Sequence, residues 1–283
     1  MINGNSKYEG RIHMSKRRKR LIIVLIILAV IYLLLIGGSY LYLKLYISPV
    51  FEQGYKVTGV YPYSNAAIPD DFAEYSVAGL KLNAPDCLES ETDREEYSKY
   101  TSQDASKCDL RILALVEEND AGEDLKWMRE KNPHLFVKWL TGCGWLMKHG
   151  MKKIGCEIPE SDHEWAYLLE RTDPLNYNKF SLSEAYASVK LSTLASIMVP
   201  AYMGIKDDEK HPLEQPLNVE ECAYYLESDA WNAIIRQRRS RGGRYQLTVT
   251  YYPVSDDENV RTLLVQSDDP ELAQTVVASA HPA

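Results

Sequence analysis

The sequence predicts an α+β fold: an N-terminal membrane-spanning helix, then an extracytoplasmic domain whose antiparallel strands flank a central helical block. Three patterns lead there. An uncharged apolar run follows a block of cations near the start. Alternating apolar residues mark both ends of the rest of the chain, and apolar residues spaced by three and four mark its middle.

The apolar run comes first. From Leu21 through Leu43, 23 residues carry no charge. At about 1.5 Å per helical residue this spans roughly 35 Å, against a hydrocarbon core of about 30 Å. A cleaved signal has a shorter apolar core, about 7–15 residues, and a small-x-small site behind it. Here the small cluster Gly37-Gly38-Ser39 is followed by more apolar chain, Tyr40 to Leu43. Tyr40, Tyr42, Tyr46 and Lys44 suit an interfacial belt. Residues 1–20 carry seven cations and one acid, so excess positive charge places this tail in the cytoplasm and the rest outside. The expected organisation is a basic tail over 1–20, a signal-anchor helix over 21–47, a stalk over 48–70 and a folded domain over 71–283. The lipid bilayer is the partner expected of Leu21 through Leu43. Pro49, Gly54, Gly59, Pro62 and Pro69 suggest the stalk.

In the domain, Tyr75 and Val77, then Leu80 and Leu82, alternate about Ala78-Gly79 and predict a hairpin ended by Pro85. After an acidic loop, strands are expected at 97–101 and 109–117. Phe136, Trp139, Leu140, Cys143, Met147, Met151 and Ile154 predict one helix over 132–155, closed by Lys152, Lys153 and Gly155. Ser161-x-x-Glu164 and Ser181-x-x-Glu184 read as capping boxes that open helices at 162–171 and 182–199. The second is apolar on most sides and should be buried. Strands are expected at 221–227, 230–238, 244–253 and 260–266, then a helix starting after Asp268 with Pro270 in its first turn.

Charge divides unevenly. Residues 1–44 hold eight cations and one anion, leaving 24 and 39 for the remainder, a net −15. An acidic domain argues against nucleic acid as a partner. All five cysteines lie beyond the apolar run, in a compartment that permits disulfides. Cys87 and Cys108 flank a predicted strand pair and are placed to meet at its base, although an odd count leaves the connectivity open.

No motif for a cofactor, nucleotide or metalloprotease site is present, and no cofactor or metal is expected. Cys143, in "TGCGWLMKHG", is the one candidate nucleophile, with His211 and His163 as candidate bases. Its place in the apolar stripe argues for a core thiol in mid-helix, away from the free N–H groups that lower a thiol pKa. Arg236, Arg238, Arg239, Arg241 and Arg244 crowd a predicted hairpin tip, a candidate contact for an anionic ligand or an acidic protein. The plainer alternative is pairing with acids of the same chain, such as Asp93, Glu95 and Glu96. The function expected is a non-catalytic binding or assembly domain at the outer membrane face; the alternative is a tethered cysteine hydrolase using Cys143.

Overall fold

A computed structural model describes residues 16–49, 56–64, 67–102, 108–117, 121–132, 134–171, 181–198, 222–239, 244–255 and 258–283. Among the described residues the chain is α+β, with seven α-helices and eleven strands in two sheets. Helix α1 (Lys16–Tyr42) runs through Gly37-Gly38-Ser39 without a break and continues as one π-turn, Leu43–Ile47. The stretch Arg20–Ile47 is 28 residues long and apolar enough to cross a bilayer by length and composition.

The larger sheet has eight strands. In spatial order they are β1 (Lys56–Val60), β7 (Cys222–Glu227), β8 (Trp231–Arg239), β9 (Tyr245–Pro253), β10 (Arg261–Ser267), β6 (Leu110–Val116), β5 (Tyr97–Ser102) and β4 (Leu88–Asp93). Every neighbouring pair is antiparallel except β1 with β7. The smaller sheet pairs β2 (Phe72–Val77), β3 (Leu80–Pro85) and the short C-terminal β11 (His281–Pro282). Ala78 and Gly79 both have positive φ, at 47° and 73°, as a two-residue hairpin turn of right-handed twist demands.

Period-2 alternation assigns the sheet its two faces. Ala233, Ile235, Leu247, Val249 and Tyr251 join the main core under α7 (Pro270–Ser279) and the smaller sheet. Ile234 and Tyr252 point the other way, against Ala166 and Tyr167 of α5 (Asp162–Arg171). Beyond α5 lies the helical block: α2 (Ala121–Lys131), α3 (Leu135–Thr141), α4 (Trp145–Lys153) and the buried α6 (Leu182–Met198). Both capping boxes form. Glu164 N–H donates to Ser161 Oγ at 3.0 Å and Glu184 N–H to Ser181 Oγ at 3.3 Å, each answered by the reciprocal bond to the glutamate.

Three elements differ from expectation. Lys56–Val60, inside the expected stalk, is a sheet strand, and Tyr61 after it is 1% exposed, so the fold begins before Asp71. Its glycine and flanking proline hide a short edge strand whose partner lies over 160 residues away. The acidic segment Leu88–Asp93 is the opposite edge strand, where charge discourages pairing with another chain. The helix expected over 132–155 is two helices, because Gly142 and Gly144 take extended backbone at ψ 136° and 175°.

The C-terminal end of α1 is built into the domain. Leu43 is fully buried, Ile47 and Ser48 nearly so, and Tyr42 OH shares a hydrogen bond of 3.1 Å with Thr193 Oγ1 of α6. Leu21 through Leu35, in contrast, are exposed.

Candidate functional site

The arginines of the β8–β9 hairpin do not act as one group. Arg236 lies low on β8, where its Nη2 donates to both oxygens of Glu170 at 2.6 Å; Tyr252 OH donates to the same carboxylate at 2.7 Å. Glu170 is 3% exposed, so this is an internal ion pair. Arg244, at the start of β9, donates to Asp109 at 2.8 and 3.0 Å and lies 3.4 Å from Asp268. The internal acids are thus Glu170, Asp109 and Asp268, not Asp93, Glu95 or Glu96. Arg238 is half-buried on β8, Arg239 ends the strand, and Arg241 lies outside the described residues.

Cys143 sits in the extended link between α3 and α4, directly before Gly144, the N-cap of α4. This corrects the mid-helix placement, yet the thiol is no better activated. It is half-buried, and burial raises its pKa against the opposing pull of Lys148, Lys190 and Arg129. Lys190 is the notable neighbour, missed by sequence reasoning because a lysine in an apolar helix has no motif. It is 2% exposed, its Nζ donates to Gly142 O at 2.5 Å, and it lies over the rings of Trp139 and Tyr186 at 5.2 and 5.4 Å. Burial lowers its pKa. Of the candidate bases, the described one, His163, is held away from Cys143. His163 Nε2 bonds Glu258 O at 3.0 Å on the α5 side of the sheet, and His211 lies outside the described residues.

A concavity lies elsewhere. A groove of about 880 Å³ runs between the β1–β7 edge of the sheet and the α4–α5 connection. Among the described residues, five carboxylates line it (Glu157, Glu160, Glu164, Glu227 and Asp229), with Arg171 as the one lining cation. Arg171 is committed to Glu227 and lies over Tyr225 at 3.8 Å, while Glu164 is held by its cap. Glu157, Glu160 and Asp229 are exposed and give the groove its negative character. The edge strand β1 forms one wall, offering backbone N–H and C=O groups on its outer side. Such a groove favours an extended, cationic segment over an anion. Among the described residues no group of three or more His, Cys, Asp or Glu is placed to hold a metal ion.

No protein-family model matches the chain, and no curated protein matches it.

Proposed function

We propose that the chain is a single-pass membrane protein, N-terminus in the cytoplasm, whose acidic domain serves as a binding or assembly module at the outer face. The junction carries this reading. A helix of bilayer length passes straight into the domain and docks on α6 through Leu43, Ile47 and Tyr42, so anchor and domain move together. The cations at Lys16–Arg20 set the orientation, and the acidic groove beside β1 is the surface on which a partner's extended, basic segment fits.

Protease added outside intact cells should digest the chain beyond Ser48 and spare residues 1–20, with the full-length chain in the membrane fraction. A soluble form beginning near Tyr40 would overturn the reading. For the groove, Glu157, Glu160 and Asp229 changed together to Gln should weaken capture of a basic extended peptide without lowering the melting temperature.

A further inference from the structure

The helical block presents an apolar face that stands exposed among the described residues. Leu135 is 83% exposed, Trp145 77%, Trp127 59%, Phe136 49% and Trp139 39%. Beyond residue 49, ten large apolar side chains are exposed among the described residues, and these five plus Ile197 of α6 all belong to the helical block. The same region is basic. Residues 121–155 hold seven cations and three anions, a net +4 within a domain that is strongly negative. Aromatic and leucine side chains beside lysines are the composition of a surface that lies in a bilayer interface.

The packing sets this face beside the anchor. Thr193 of α6 holds Tyr42 at the end of α1. One turn back, Lys190 reaches Gly142, in the link between α3 and α4. Gly150, further along α4, lies against Ser183 and Ala187, nearer the start of α6; a Cβ there would stand 2.7 Å from that of Ala187. Helix α4 therefore begins, at Trp145, beside the half of α6 that grips the anchor, and runs away from it.

We propose that α2, α3 and α4 form a second, peripheral membrane contact, with Leu135, Phe136, Trp139 and Trp145 seated at the headgroup–acyl boundary of the leaflet from which the anchor emerges, and Lys126, Lys138 and Lys148 on its anionic headgroups. This rests on the membrane-anchored reading above. The contact holds the domain flat on the bilayer and turns its sheet edges to a fixed height above it. A basic face on an acidic domain is complementary to anionic lipid, and acyl burial of the aromatics supplies the rest.

The five tryptophans all lie outside the anchor, so their emission reports on the domain. The full chain is reconstituted into vesicles of phosphatidylcholine and phosphatidylglycerol in which the phosphatidylcholine is brominated near the headgroup end of its acyl chains. Bromine should remove about half of the emission, since three of five tryptophans lie on the face and interfacial rings reach that depth. The triple variant Trp127→Phe, Trp139→Phe, Trp145→Phe, which keeps the packed Trp165 and Trp231, should lose the quenching. The variant Trp231→Phe should keep it.

Alkaline extraction is run on the same vesicles. A chain that stays in the membrane with unquenched tryptophans overturns the contact and leaves the anchor standing. A chain released into the aqueous phase overturns both. Unquenched emission with concentration-dependent cross-linking of the anchored chain would assign the face to a second copy and overturn the lipid contact.

Discussion

Arg236 and its neighbours show how a side chain's partner decides its worth. Arg236→Met would take the guanidinium from the buried Glu170 carboxylate, to which Tyr252 OH also donates, at a cost of roughly 3 kcal/mol, the low end for a broken buried pair because Arg236 keeps some exposure. Denaturant midpoints should show that loss. Changing Arg238, Arg239 and Arg241 together to Ser should move the midpoint by less than about 1 kcal/mol, and should abolish any salt-sensitive binding of an anionic ligand at the hairpin. A midpoint shift as large as that of Arg236→Met would make these arginines structural too. Tyrosines supply a pH signature at the same scale. Burial raises the phenols of Tyr61, Tyr167 and Tyr251, and pushes Tyr245 up to about 12 against the opposing hydrogen bond from Gln274. A folded pKa above the unfolded value gives stability that is present below the unfolded pKa, about 10, and lost as pH rises past it. Phenolate absorbance should therefore rise in two steps, the exposed tyrosines first and the buried ones only as the chain unfolds. A single step with unchanged circular dichroism would show these four phenols to be accessible.

At the scale of elements, the break between α3 and α4 is the informative one. Apolar spacing runs through Cys143 unbroken, yet two glycines and the capture of Gly142 O by Lys190 favour a link over a continued helix. The disulfide Cys87–Cys108 is the second case. It ties the base of the β4–β5 hairpin, between the end of β3 and the start of β6, across 21 residues of sequence. Closing a loop of that size contributes about 3 kcal/mol at most by chain entropy. The double variant Cys87→Ala, Cys108→Ala should unfold at correspondingly lower denaturant and keep its far-ultraviolet circular dichroism. Equal midpoints for the two proteins would mean that the hairpin is held by its sheet pairing alone.

For the whole molecule, the proposed membrane anchoring raises the question of how a domain with net negative charge would sit against a bilayer. Acids gather along the edge strand Leu88–Asp93 and around the β1 groove, whereas the exposed Trp127, Phe136, Trp139 and Trp145 and a local excess of cations belong to the helical block. Like-charged headgroups repel the first and attract the second, so one orientation is favoured once the anchor holds the domain within a Debye length, about 8 Å. Because Leu43 and Ile47 are packed into α6, rotation about a flexible stalk is closed to this domain. A flexible insertion after Ser48 would leave that packing in place, whereas Leu43→Asp should free the domain from the anchor and lower its stability.

The long apolar N-terminal helix, both capping boxes, the Ala78-Gly79 hairpin and the four C-terminal strands were legible because each rests on local chemistry: hydrophobic length, a side chain reaching three residues along, a turn needing positive φ, and alternation by two. Strand β1, the division of the arginines between Glu170 and Asp109, the grip of Lys190 on Gly142 and the groove were not. Each depends on groups brought together from distant parts of the chain, and sequence spacing carries no record of which distant partner a charge or a strand edge will meet. Local periodicity determined what the segments are. Only the tertiary structure decided which faces they hide from one another, and so which acids stay open beside β1 and which aromatics stay exposed on the helical block.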